Sequence, residues 1–150
     1  MKILIVYDSL YGNTETIART IAQALPGDVP MMRAGEADPA DLETADLLII
    51  GAPTHGSLPS ETARGLIQRI GSPAREGAKL ATFDTRLSWG FLKRYGFAAS
   101  QMADPLVEKG WTLAVAPEGF IVRGLKKGPL KRGEVERASA WAKQLAESLV

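Results

Sequence analysis

Runs of consecutive apolar residues alternate along this chain with stretches in which apolar residues recur every three or four positions. The first run, Ile3-Leu4-Ile5-Val6-Tyr7, belongs to a strand over residues 2–7. A polar stretch follows. Ile17, Ala18, Ile21, Ala22 and Leu25 then share one face of a helix that starts at Asn13 or Thr14. Pro26-Gly27-Asp28 stops that helix. Residues 29–32 read as a short second strand. Asp38-Pro39-Ala40-Asp41-Leu42 reads as one capped helical turn with proline in its first turn. Leu47-Leu48-Ile49-Ile50 is the continuous apolar run of a strand buried on both faces. Residues 51–59 break all periodicity and predict a loop. Ser60 is placed to cap a helix with Ala63, Leu66, Ile67 and Ile70 on one side, ended by Gly71-Ser72-Pro73. Residues 80–83 predict the fourth strand, and residues 84–95 predict irregular chain. A helix follows over 97–109, with a kink or break expected at Pro105. A fifth strand is expected over 111–116, then a long connection over 117–133 that contains the apolar segment Phe120-Ile121-Val122. The last helix, residues 134–149, carries Val135, Ala138, Trp141, Ala142, Leu145 and Leu149 on one face.

Strands alternating with helices predict a single α/β domain over residues 1–150, with a doubly wound five-stranded parallel sheet covered by helices on both faces. Strand twist makes the crossovers right-handed. Ligands bind such sheets beyond the carboxyl ends of the strands, where strand order reverses. Three loops follow strand ends, at residues 8–13, 53–59 and 84–90. They converge only if strands 1, 3 and 4 are neighbours, and the order 2-1-3-4-5 achieves this.

Composition narrows the classes. Hydrophobic residues make up 45% of the chain, enough for a core without staples. The absence of cysteine excludes a disulfide scaffold, a thiolate metal site and thiol catalysis. With one histidine in the chain, His55, no histidine cluster can hold a metal. The amino end is too short for a signal peptide, and no apolar run approaches the roughly 20 residues of a membrane span. A cytoplasmic protein with no membrane segment is therefore expected. The net charge of +1 gives no global argument for nucleic acid. Charge is uneven, however. Arg123, Lys126, Lys127, Lys131 and Arg132 form a basic cluster that reads as a solvated face or as a docking patch for an acidic partner.

The candidate chemistry begins where the first strand runs into Asp8-Ser9-Leu10-Tyr11-Gly12-Asn13-Thr14-Glu15-Thr16. The first turn of the following helix has unpaired N–H groups and the positive end of the helix dipole, which together favour an anion. Ser9, Asn13, Thr14 and Thr16 can add side-chain donors, and Gly12 permits close approach or positive φ. The loop holds no Lys or Arg. A phosphate here is bound by neutral dipoles.

Ser9-Leu10-Tyr11-Gly12-Asn13-Thr14-Glu15 after the first strand resembles the phosphate loop of the flavodoxin family, and Gly51-Ala52-Pro53-Thr54-His55-Gly56 resembles its second flavin loop. The likeness is clear over about the first 70 residues, and the strand–helix order continues to the end. It implies the flavodoxin-like fold with non-covalent FMN. Carried over by position, Ser9, Tyr11, Gly12, Asn13 and Thr14, with Leu10 in the same loop, would hold the phosphate. Pro53, Thr54, His55 and Gly56 would line one side of the flavin ring. The third loop, with Asp84, Thr85, Arg86, Trp89 and Gly90, would cover the other. Two departures stand out. His55 occupies the second-loop place where an aromatic residue or Met is usual, and the third loop carries Arg86 in place of acidic neighbours. Reduced FMN is anionic near N1, so a guanidinium there would raise the potential of the fully reduced flavin.

The resemblance implies an FMN-binding electron-transfer protein that passes electrons one at a time between redox partner proteins, with no catalytic residues and no metal. Two alternatives are an NAD(P)H-dependent FMN or quinone reductase and a flavodoxin-like domain that has lost FMN. A phosphate-receiver domain of the same fold is disfavoured: Asp8 has no acidic neighbour, and strand 3 ends at Gly51 rather than at an aspartate. Trp89, Phe91 and Tyr95 either pack under the third loop or touch the flavin. Trp111 and Trp141 read as core.

Overall fold

The computed structural model describes residues 1–56, 58–87, 97–123 and 128–149. In chain order its elements are β1 (Ile3–Tyr7), α1 (Asn13–Ala24), β2 (Met31–Arg33), a 3-10 turn (Ala34–Glu36), α2 (Pro39–Leu42), β3 (Leu47–His55), β4 (Leu58–Pro59), α3 (Glu61–Arg69), β5 (Lys79–Leu87), α4 (Ala98–Glu108), β6 (Thr112–Leu113), β7 (Glu118–Val122) and α5 (Glu134–Ser148). The sheet runs β2-β1-β3-β5-β6, with β7 also on β5. All of these pairings are parallel; only the short β4 is antiparallel, against β3.

The sheet matches the expected order once its fifth position is read as two pieces. β6 pairs with the start of β5, at Lys79 and Leu80. β7 pairs with its end, from Phe83↔Glu118 to Leu87↔Val122. The apolar segment at 120–122 is therefore the second half of the fifth strand and not part of a long connection. The expectation of one strand over 111–116 is corrected accordingly. Trp111 precedes β6 and is buried.

Alternation along the central strands divides the core in two. Leu4, Val6, Leu48, Ile50 and Leu80 face α3 and α4, meeting Leu66, Ile67, Met102 and Leu106. Ile3, Ile5, Leu47, Ile49 and Phe83 face α1 and α5, meeting Ile17, Ile21, Trp141 and Leu145. On the second face Phe83, Phe120 and Trp141 form a three-way edge-to-face cluster with centroids 6.0–6.1 Å apart. Phe83 fits because its ring occupies the space over Gly51 where a Cβ would otherwise stand.

Four other expectations change. β3 does not stop at Ile50; it continues through Gly51-Ala52-Pro53-Thr54-His55 and turns back through β4. β5 does not stop at Phe83; it runs through Asp84, Thr85 and Arg86 to Leu87, carried by β3 on one side and β7 on the other. α4 passes through Pro105 without a break. β2 is shifted to residues 31–33. Trp89, Gly90, Phe91, Tyr95, Lys126 and Lys127 lie outside the described residues.

Candidate functional site

The carboxyl ends of β1, β3 and β5 stand side by side, with Tyr7 beside Gly51, Gly51 beside Phe83 and Pro53 beside Thr85. An open pocket of about 700 Å³, counting solvent at its mouth, lies beyond them. Ser9, Leu10, Tyr11, Asn13 and Thr14 line one end. Pro53, Thr54, His55 and Gly56 form one wall; Thr85, Arg86, Leu87, Phe97 and Val122 form the other.

The first loop is tied to itself. Ser9 Oγ accepts from the amides of Gly12 (3.1 Å) and Glu15 (3.3 Å). A hydroxyl has two acceptor positions and one donor, so the Ser9 proton remains to be donated outward. Gly12 takes φ +90° just before α1, the left-handed conformation glycine adopts without strain. The amides of Asn13 and Thr14, in the first turn of α1, have no hydrogen-bond acceptor among the described residues. Thr14 is buried, and its hydroxyl meets that of Thr85 at 2.8 Å. The Asn13 side chain takes a different part: its Nδ2 donates to the Gly128 carbonyl at 2.8 Å, 115 residues away. That tether joins the loop to the chain after β7, where Val122 bridges Leu130.

Charge around this end is paired. Glu15 accepts from Arg33 (2.8 Å), Arg19 (3.3 Å) and the Tyr7 hydroxyl (3.0 Å). Burial pushes the Tyr7 phenol above its ordinary pKa, and Glu15 adds to the effect. Asp8 accepts from Ser60 Oγ at 2.5 Å, so Ser60 clasps the start of the loop after β1 rather than capping α3 with its side chain.

The other end is built on a buried ion pair. Asp84 has no exposed surface, and its two oxygens accept from Arg86 Nε (2.6 Å) and Nη2 (2.7 Å). The Arg86 guanidinium lies 3.6 Å from the centroid of the Phe97 ring and fills the space where Gly119 has no side chain. Asp84 Oδ2 also accepts from the Ala99 amide (3.0 Å), and Thr54 Oγ1 accepts from the Ala98 amide (3.0 Å). The first amides of α4 are thus capped by β5 and β3, not by Phe97 at its own N-cap. Burial pushes the Asp84 carboxyl up from its ordinary value, while Arg86, the Ala99 amide and Thr54 oppose that rise.

The pocket thus collects Ser9, Leu10, Tyr11, Asn13, Thr14, Pro53, Thr54, His55, Gly56, Thr85 and Arg86 from the sequence-based set. Gly12 shapes the loop from behind, and Asp84 sits beneath Arg86, not on the pocket wall. Leu87, Phe97 and Val122 join them without having been singled out. Val122 could be found only by recognising residues 120–122 as strand, since that pairing brings them beside β5.

These features define a doubly wound α/β domain with an anion cup and a slot at its strand ends. The family model for the flavodoxin domain matches residues 4–85, more than half of the chain, and the chain belongs to that family. It is 30% identical to diflavin flavoprotein A 2 of Thermosynechococcus vestitus over 99% of its own length, and spans 25% of that longer protein. Flavodoxin 2 of Bacillus cereus matches with a TM-score of 0.78 and 27% identity, covering 98% of this chain and 99% of that one. The rubredoxin oxygen:oxidoreductase of Desulfovibrio gigas matches with a TM-score of 0.76 and 21% identity, covering 99% of this chain and 36% of that one, a likeness of fold.

The cofactor that comes with this family is FMN, and the donor set fits it. A dianionic phosphate can meet the Ser9 hydroxyl and the two open amides of α1. A planar ring system can lie between the wall carrying Thr54 and His55 and the wall carrying Arg86 and Val122. Among the described residues no cluster of three or more His, Cys, Asp or Glu could hold a metal. No described helix is long and apolar enough to cross a membrane.

Proposed function

We propose that this protein holds FMN in the strand-end pocket and passes electrons one at a time between redox partner proteins. The observation that supports it most is the pairing of a neutral anion cup at α1 with an open two-walled slot on neighbouring strands. FMN supplies the redox chemistry when bound; the protein supplies binding, orientation and electrostatics.

Ser9 and the amides of Asn13 and Thr14 hold the phosphate. The Ser9 hydroxyl keeps Gly12 and Glu15 in place and presents its proton to the anion. Thr14 and Thr85 fix the distance between the cup and the ring wall. Pro53, Thr54, His55 and Gly56 shield one ring face. Gly56, with φ +52°, offers its backbone to flavin N5. Leu10 (58% exposed) and Tyr11 (45% exposed) form the rim, where a partner approaches the ring edge. Arg123, Lys131 and Arg132 are exposed and give an acidic partner a steering patch. The cytoplasm is the compartment in which such a carrier works.

The test is the visible spectrum of the purified protein before and after addition of FMN, followed by photoreduction. Flavin bands that perturb on binding, and accumulation of the one-electron-reduced state, are expected. No binding at micromolar FMN would overturn the cofactor reading. Bound flavin that passes straight to the two-electron state, with rapid NAD(P)H oxidation by a quinone, would replace the carrier with a reductase.

A further inference from the structure

Resting on the FMN reading, the geometry points to the Asp84–Arg86 pair as the element that sets how strongly the pocket prefers reduced over oxidised flavin, with Asp84 masking most of a cation aimed at the ring. Three observations carry this. The pair is oriented: Asp84 is fully buried, while the Arg86 side chain keeps 20% of its surface and lines the pocket. Arg86 is therefore the member of the pair that meets a bound ring.

The pair is also rigid. Two charge-assisted hydrogen bonds fix the plane of the guanidinium, Phe97 stacks on it, and Gly119 leaves it room. Such a group keeps its place when the charge beside it changes. The third observation is that Arg86 Nη1 has no acceptor among the described residues, so it has donors to offer into the pocket.

A flavin that has taken up two electrons and one proton carries one negative charge on its ring system. The protein discriminates between its oxidation states by whatever charge meets that ring. An ionised Asp84 leaves an oriented dipole there with its positive end outward. Removing the carboxylate charge, with the side-chain shape kept, would leave a full positive charge at the same place. A full charge attracts an anion more strongly and over a longer range than a compensated pair does.

The experiment compares the native chain with Asp84→Asn and with Asp84→Asn/Arg86→Met. In each, the dissociation constants of oxidised FMN and of dithionite-reduced FMN are measured anaerobically, and their ratio is taken. Asp84→Asn should shift the preference toward reduced FMN by tenfold or more, about 30 mV in the two-electron midpoint. The double variant should return to within threefold of the native ratio or fall below it. Equal ratios in the native chain and Asp84→Asn would overturn the inference while leaving FMN binding intact. No FMN binding by the native chain would overturn the cofactor reading and this one with it. Should Asp84→Asn fail to fold by circular dichroism, the native chain still decides. The guanidinium 15N–1H resonances of Arg86 should move on flavin reduction and those of exposed Arg19 should not; an unmoved Arg86 would overturn the inference.

Discussion

Thr14, in the first turn of α1, and Thr85, near the end of β5, hold their hydroxyls 2.8 Å apart in a buried contact 71 residues long in sequence. One hydroxyl donates and the other accepts, so each satisfies its partner away from water. Replacing either one with valine strands the remaining hydroxyl, at a cost of about 1–3 kcal/mol. Replacing both removes the polar pair, and Thr14→Val/Thr85→Val should be less destabilised than the sum of the singles. Urea unfolding of the four proteins measures this; additive losses would show that the hydroxyls do not depend on one another.

Gly51 and Phe83 make a second cross-strand dependence. A methyl at residue 51 overlaps the Phe83 ring, which is fixed by Phe120 and Trp141. Gly51→Ala should cost about 1–3 kcal/mol, as overpacked cores do. Gly51→Ala/Phe83→Leu should recover part of that loss in thermal unfolding, since leucine vacates the space.

The Asn13 tether predicts a local effect. Asn13→Ala removes the bond to Gly128 and should lower stability by about 0.5–1.5 kcal/mol. Hydrogen exchange should quicken at the amides of Arg123 and Lys131, which pair with Pro129 and Ile121 at the base of the same segment. Exchange in β1 and β3 should be unaffected.

Acid stability should depend on Glu134. Arg137 beside it, and then the Ile121 amide, hold its carboxyl below the ordinary value of 4.5. A carboxylate held low in the folded state contributes stability that is fully present above 4.5 and is lost as pH falls from there through the folded value. Glu134→Gln should destabilise the protein at pH 7 and narrow its difference from the native chain as pH is lowered past 4.5. Asp84, raised by burial, acts in the opposite sense in both proteins and cancels in the comparison. A constant gap from pH 7 to pH 3 would show that Glu134 is not held low.

Much of the molecule could be read from apolar periodicity. The β1 run, the face of α1 and the run beginning at Leu47 are each one pattern with one outcome, and the strand order follows from the need to bring three loops together. The reading failed where polar residues are buried. Asp84, Thr85 and Arg86 interrupt the apolar pattern and so look irregular, yet they continue β5. Each finds a partner further along or back in the chain: Thr85 on Thr14, Asp84 on the Ala99 amide and Arg86 on the Phe97 ring. Gly51 and Pro53 punctuate β3 in the same misleading way, because the pairing with β5 that keeps Ala52 and Pro53 extended is not a local property. At the site, residue types and loop positions pointed to the pocket, but not to the roles of Asn13 and Ser60, whose partners Gly128 and Asp8 are distant in sequence.

The capping of α4 by Thr54 and Asp84 has a consequence for the flavin. An electron carrier works against the rearrangement its surroundings undergo when charge arrives, and fixed dipoles keep that rearrangement small. Here the two walls of the slot are not independent loops. Each is fastened to the first turn of one eleven-residue helix, through the Ala98 and Ala99 amides. To widen the slot, the chain would have to uncap that helix; in the carrier role proposed above, walls tied in this way would keep the rearrangement on arrival of an electron small.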